Sequence, residues 1–341
     1  MTIKIQSSFF AKFKKNRRGY FSFLVFFFLF FATLFAELIA GEKPLLISFK
    51  GEFYFPIFQE ISEEKLGGVF EAPADFRDPA VQKLVKKNGW MIFPPIKFSY
   101  DTINYKINTP APSKPTVENL FGTDDQGRDV LARVIYGIRL SLIFGLVLTI
   151  FSTALGIFLG AIQGYFGGLT DLLLQRFMEI WSSMPVLFLL IILSSIIEPN
   201  FFTLLGLMLL FSWMAMVSYV RAEFLRLRNF DFVRASRALG ASHSRIIFHH
   251  ILPNASPIII ANLPFLLAGA ITTLTSLDFL GLGLPVGSPS LGELLAQGKN
   301  NLNAYWLGIT GFVTITLILT LLVFIGEALR DAFDVRKSIS S

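Results

Sequence analysis

The chain has no cysteine. That excludes disulfides, thiolate metal sites and cysteine nucleophiles, and it leaves the redox compartment undecided. Charge is scarce as well. Asp, Glu, Lys and Arg make up 16% of the 341 residues, where a soluble domain carries about 25%. There are only three histidines, His243, His249 and His250. Two adjacent histidines on a helix point about 100° apart, so His249 and His250 cannot share a metal ion, and no metal site is expected. HExxH, GxSxG and paired catalytic carboxylates are missing. The run Gly292–Asn300, GELLAQGKN, departs from a phosphate-binding loop in spacing and ends in Asn300 where Ser or Thr is required. The chain therefore reads as non-catalytic, with no cofactor and no energy source of its own.

What is present is apolar. Hydrophobic residues make up 53% of the chain, and 38 residues are Phe. This is the composition of a polytopic membrane protein. The net charge of +6 is read as the positive-inside bias of such a chain and not as a nucleic-acid footprint, because the basic residues cluster at the ends of apolar runs.

Six spans are expected. Residues 1–20 hold Lys4, Lys12, Lys14, Lys15, Arg17 and Arg18 and no acid. Phe21–Ala40 follows as an apolar run of the length a spanning helix needs, with no A-x-A cleavage site behind it. It reads as an uncleaved first span, with Glu37 at headgroup level. Residues 41–137 differ. Twelve Lys/Arg are balanced by thirteen Asp/Glu, and prolines and aromatics are interleaved. A small folded extracytoplasmic insertion is expected there. Its end, with Asp129 and Arg133 against Val130, Leu131, Val134 and Ile135, predicts an amphipathic helix on the membrane surface. The later spans are Ile138–Phe166, Asp171–Ile197 with a kink at Pro185, Phe201–Tyr219, Ser256–Leu280 and Tyr305–Gly326. Residues 138–327 thus hold five spans. Gly281–Ala304 reads as an outer Gly/Pro/Ser-rich loop, and residues 328–341 as a cytoplasmic end carrying Arg330, Arg336 and Lys337. Six spans place both termini and every short basic segment inside.

Four features stand out. Gly156, Gly160 and Gly164 lie four apart, which lets another helix approach closely. Asp278, near the outer end of the fifth span, is a candidate contact for a cationic substrate or a docked protein. Glu179 pairs with Arg176 at i,i+3. The basic segment 221–254 is the most informative. Arg234–Leu239 predicts a short helix that stops at Gly240, suited to a left-handed C′ position. Ser242 is set to cap a second helix, which Pro253 is expected to close.

This segment resembles the coupling loop of ABC importer permeases, whose pattern is E-A-A, three residues, Gly, nine residues, I-x-L-P. Ala235 and Ser236 stand for the alanines, Gly240 for the glycine, and Leu252-Pro253 for the closing pair. Arg234 replaces the glutamate and His250 the isoleucine. The R-A-L-G and H-I-L-P-N variant is similar to the dipeptide/oligopeptide/nickel branch, and so is F-G-T-D…G-R-D-V ahead of the second span. The resemblance implies an all-α membrane protein of the type I importer (MetI-like) fold, six helices with an insertion between the first two, in a bacterial inner membrane. It implies that Arg234, Ala235, Ser236, Arg237, Ala238, Leu239, Gly240, Ala241, Leu252 and Pro253 contact an ATPase. It implies partners: a second homologous permease, two ATPase subunits or domains that bind ATP and Mg, an extracytoplasmic peptide-binding protein, and membrane lipid. Peptides, including microcin C-like peptide antibiotics, are the implied substrate. Dipeptides, nickel chelates or glutathione are the alternatives within the family, and a receptor or scaffold without transport is the alternative outside it.

Overall fold

The computed structural model describes residues 11–107 and 109–333; Lys4, Arg336 and Lys337 lie outside them. Among the described residues, five helices are long and apolar enough to cross a membrane, and a bent pair makes a sixth candidate span. They are α1 (Arg17–Leu34), α3 (Val130–Phe166), α6 (Phe201–Leu227), the helix that ends as α8 (Leu252–Phe279) and α10 (Tyr305–Phe333), with the pair α4 (Gly168–Ser182) and α5 (Val186–Ser194). The remaining elements include β1 (Leu46–Phe49), β2 (Glu52–Tyr54), α2 (Pro79–Asn88), β3 (Gly89–Ile92), α7 (Asp231–Ala238) and α9 (Leu291–Asn300), besides single helical turns at Ala36–Ile39 and Glu64–Leu66. The chain divides into a core unit, residues 1–28, 141–285 and 315–341, and a sheet unit, residues 29–140 and 286–314.

In the core unit, α6 and α8 pack along one another. Small residues let the helices meet. A Cβ on Gly156, Gly160 or Gly164 of α3 would lie 2.4–2.8 Å from the side chains of Met216, Val220 or Phe224 on α6. A Cβ on Gly19 would lie 2.1 Å from that of Ala328, so α1 and α10 cross there in backbone contact. Apolar side chains fill the space between, with Met216, Val220 and Phe224 fully buried beside Ile251 and Ala255. Phe144, Leu204 and Leu274 form a second cluster.

Pro185 breaks its span outright. α4 and α5 are bent by 61°, and Pro185 stands as the cap before α5. Proline removes an amide donor and forces the preceding residue out of the helical region.

Pro253 does the reverse of what its chemistry suggests. The helix runs on through it: one turn at His243–Arg245, a π-helical segment at Ile246–Ile251, then α8 with Pro253 in its first turn. Leu252 N–H donates to the Ile247 carbonyl, five residues back. A first-turn proline costs no hydrogen bond that a preceding wide turn has not already rearranged.

The sheet unit holds an antiparallel sheet in the order β2-β1-β3, with Ser48 opposite both Phe53 and Trp90. Alternate residues Ile47 and Phe49 turn inward onto Val81 and Val85 of α2, with Ile61, Leu66 and Phe76 completing the core. Here the structure corrects the expectation for residues 129–137. They form no separate surface helix, because α3 begins at Val130 and continues unbroken for 37 residues. At 1.5 Å per residue that is about 55 Å, well beyond a hydrocarbon core of about 30 Å. Asp129 and Arg133 are buried, not solvated. The Gly/Pro/Ser-rich run after Gly281 also conceals a helix, α9, whose N-terminus is capped by Ser290 accepting from Gly292 and Glu293 N–H. GELLAQGKN is therefore helical over Gly292–Asn300, with no loop to cradle a phosphate.

Candidate coupling surface

The segment after α6 is built by local chemistry. Arg228 caps α6, and its guanidinium donates to the carbonyls of Gly164 and Tyr165 at 3.4 and 3.5 Å, tying the end of α3 to the start of the segment. Arg221 holds Asp171 at the beginning of α4 through two hydrogen bonds of 2.5 and 2.7 Å. α7 then begins at Asp231, an acid in the first turn where the helix dipole favours it. Ser236 Oγ donates back to the Phe232 carbonyl at 2.8 Å.

The stop is a paired C-terminal turn. Gly240 N–H donates to the Arg237 carbonyl and Ala241 N–H to the Ser236 carbonyl. Gly240 has φ +79°, and no heavy atom lies within 4 Å of where its Cβ would be. Its requirement is thus the left-handed backbone, not room for a neighbour. Ser242 next accepts from Arg245 N–H at 3.4 Å, a long N-cap.

One buried residue, Val233, roots α7. The rest faces outward: Arg234, Ala235, Arg237, Ala238 and Gly240 are exposed, Ser236 and Ala241 half-buried, and Leu239 is 88% exposed. Of the closing pair, Leu252 is half-buried and Pro253 exposed. Phe230 and Phe248 are exposed as well. An apolar and cationic patch of this kind, with Ala235 and Ala238 beside the arginines, fits a docking surface better than a reaction centre.

A joint connects the patch to the spans, and sequence reading missed it. Tyr165 Oη, at the end of α3, shares a hydrogen bond of 2.7 Å with His243 Nδ1. The Arg237 guanidinium lies 5.6 Å from the centre of the Tyr165 ring, a cation–π distance. Phe166 also packs against the His243 ring. One tyrosine thus touches both sides of the Gly240 turn. Tyr165 sits in an apolar run in sequence, and only its hydroxyl hints at a partner.

The other candidate residues lie elsewhere. Asp278 Oδ1 accepts from Leu284 N–H at 2.8 Å, closing the turn that follows α8, and a Cβ on Gly283 would lie 1.8 Å from that oxygen. Glu179 pairs with Arg176 at 2.5 Å. Neither approaches α7 in sequence or by any contact seen among the described residues.

The sheet unit carries a second polar group that sequence reading did not assemble. Arg128 Nε donates to Asp124 Oδ2 at 2.7 Å, and its Nη2 to Glu293 Oε1 at 3.1 Å. Arg133, fully buried, donates to Glu293 Oε2 at 2.8 Å and to the Ser288 carbonyl at 2.9 Å. Its Nε lies 3.4 Å from Asp124 Oδ2, an ion-pair distance without hydrogen-bond alignment. Asp129 accepts from Asn119 Nδ2 at 2.8 Å and Ala132 N–H at 2.7 Å. Burial is the largest influence on Asp129 and raises its carboxyl above the ordinary range, against those hydrogen bonds. The i,i+4 spacing of Asp124 and Arg128 was a readable signal; Glu293, 160 residues beyond Arg133, was not.

Comparison with known proteins places this geometry. Residues 152–339 match the family described as "Binding-protein-dependent transport system inner membrane component". The chain is 56% identical to the "Peptidoglycan transport system permease protein YejE" of Agrobacterium fabrum, over 96% of this chain and 92% of that protein. It is 54% identical to the "Inner membrane ABC transporter permease protein YejE" of Escherichia coli, over 96% of both. The "Oligopeptide transport system permease protein OppC" of Lactococcus lactis is 35% identical over 64% of this chain. Among solved structures, an inward-facing MetNI methionine ABC transporter matches 60% of this chain and 98% of its own with a TM-score of 0.50 and 18% identity, which shows a shared fold. The chain belongs to the binding-protein-dependent transport system inner membrane components, the multi-pass permeases of ABC importers.

Proposed function

We propose that this chain is a peptide-translocating permease whose α7 surface receives movement from a cytoplasmic ATPase. The observation that carries the reading is the exposed Arg234–Ala241 patch, rooted by Val233 and jointed to α3 through Tyr165 and His243. Peptide as substrate rests on relatives named for peptidoglycan, oligopeptide and dipeptide transport.

In this reading residues 1–20 and 328–341 and the loop 221–254 face the cytoplasm, and residues 41–137 lie outside with the α9 segment. A second permease completes the pathway, two ATPase subunits or domains bind ATP and Mg, and an extracytoplasmic binding protein delivers the peptide. ATP hydrolysis is theirs; this chain transmits. The ATPases must bind α7 differently in their open and closed states, since equal affinity for both would shift nothing.

The test is purification of the assembled complex from membranes, followed by ATP hydrolysis with and without binding protein and a short peptide. Stimulated hydrolysis in a complex holding a second permease and ATPase subunits is expected. A stable chain with no ATPase attached overturns the reading.

A further inference from the structure

Helices of the core unit line a half-open cavity that the coupling surface does not use. It measures about 180 Å³ and lies between α3, α6 and α8. Its walls include four hydroxyls, from Thr149, Ser152, Ser212 and Thr273, and no charged residue. Thr149 and Ser212 fall near the middles of their helices, away from any helix end where a hydroxyl would serve as a cap.

Three of those hydroxyls have spent their protons. Ser152 donates to the Thr149 carbonyl at 3.2 Å, Ser212 to the Met208 carbonyl at 2.7 Å and Thr273 to the Gly269 carbonyl at 2.9 Å. Their oxygen lone pairs remain as acceptors. Thr149 is different. It is 94% buried, and its Oγ1 has no hydrogen-bond partner among the described residues. A buried hydroxyl without a partner is costly, and such groups are rare in native structures. The space beside it far exceeds the roughly 10–15 Å³ that one water needs.

The surface of α8 next to the cavity continues the pattern. Gly269, Thr272, Thr273 and Ser276 are exposed, and Thr272 and Ser276 donate to the carbonyls four residues back at 2.8 Å. Lipid has no use for such hydroxyls. A ligand that donates hydrogen bonds and carries its polar groups along a backbone does.

We propose that this cavity is a subsite on the translocation route, accepting backbone amide N–H groups of a peptide in transit, with Thr149 as its unpaired hydroxyl. The proposal rests on the peptide-permease reading above. The uncharged wall, apolar apart from its hydroxyls, suits a site that peptides of different sequence must enter and leave, because those hydroxyls engage the amide that every peptide shares.

The absence of cysteine from the chain makes a direct test possible. Thr273→Cys and Ser212→Cys are introduced singly into the assembled importer in lipid vesicles, with trialanine as the peptide. Labelling of this chain by a small hydrophilic methanethiosulfonate is followed. The expected result is labelling at both positions, slowed at least five-fold when binding protein, trialanine and ATP drive turnover. Labelling at an unchanged rate makes the cavity a water pocket only and overturns the proposal. No labelling places it against lipid or a packed helix and also overturns it. Peptide-stimulated ATP hydrolysis is measured on the same samples. Its absence refutes the peptide-permease reading itself, and the subsite with it; its presence isolates the subsite as the part that failed. In parallel, Thr149→Val, which keeps shape and loses the hydroxyl, is expected to lower trialanine uptake about ten-fold, with Thr149→Ser restoring it. Unchanged uptake in Thr149→Val contradicts the assignment.

Discussion

The chain handles its arginines in two opposite ways. In the sheet unit, Arg128 and Arg133 are buried and matched by Asp124 and Glu293. On the coupling segment, Arg234 and Arg237 face solvent around an exposed Leu239. The first arrangement satisfies itself. Its charges hold α9 and the Asp124–Asp129 turn against the start of α3. The second arrangement satisfies little: one guanidinium over a tyrosine ring and one buried valine. Charge turned inward ties this fold together, and charge turned outward is what the proposed docking role draws on.

The sharpest way to break that comparison is to disrupt the buried side. Arg133→Met leaves Glu293 short of a partner and Asp124 short of a neighbouring cation. Breaking a buried pair by removing one member costs about 3–5 kcal/mol, so the sheet unit should lose protease resistance and the thermal unfolding midpoint should drop. A midpoint equal to that of the parent protein would mean the cluster is ornamental. The exposed side predicts the contrary pattern. Leu239→Asp changes a residue that touches almost nothing, so stability should move by no more than about 0.5 kcal/mol. On the proposed reading, in which the patch receives an ATPase, transport should nevertheless be lost. Loss of folding in Leu239→Asp, measured by the same midpoint, would erase the distinction.

The joint lies between the two extremes. Tyr165→Phe removes the hydrogen bond to His243 and keeps the ring under Arg237 and beside Phe166. The expected stability cost is about 0.5–1.5 kcal/mol, with a larger effect on peptide moved per ATP hydrolysed than on hydrolysis itself. Equal losses in both rates would make Tyr165 a plain packing residue. The smallest effect concerns pH. A carboxyl raised by folding, as at Asp129, favours the folded state most below its unfolded value. That contribution fades as pH rises through the folded value. Protease resistance of the sheet unit should therefore increase slightly as pH falls toward the ordinary carboxylate range, and Asp129→Asn should flatten that slope. A parent profile that falls over the same range would reverse the sign.

Much of this was legible beforehand, for reasons that differ by region. The spans announce themselves because lipid tolerates only long apolar helices, and the Arg234–Gly240 helix announces its own end because few residues but glycine adopt φ +79° readily. Pro185 marked its break. Pro253 misled, since a proline in a first turn looks the same in sequence as one that ends a helix, and the π segment before it leaves no compositional trace. Arg133 misled for another reason. An arginine beside apolar residues at helical spacing fits a membrane surface and a buried ion pair equally well, and the deciding partner, Glu293, is distant in sequence. α9 hid among glycines and prolines, with Ser290 its one readable signal.

The central claim is that Leu239 and its neighbours meet an ATPase. Leu239→Cys supplies the only thiol in a chain that has none, and a short thiol-to-amine cross-linker applied to the purified complex reads what lies beside it. The account predicts a covalent adduct between this chain and an ATPase subunit, formed at different rates with and without ATP. An intact, hydrolysing complex in which Leu239→Cys yields no such adduct would contradict it.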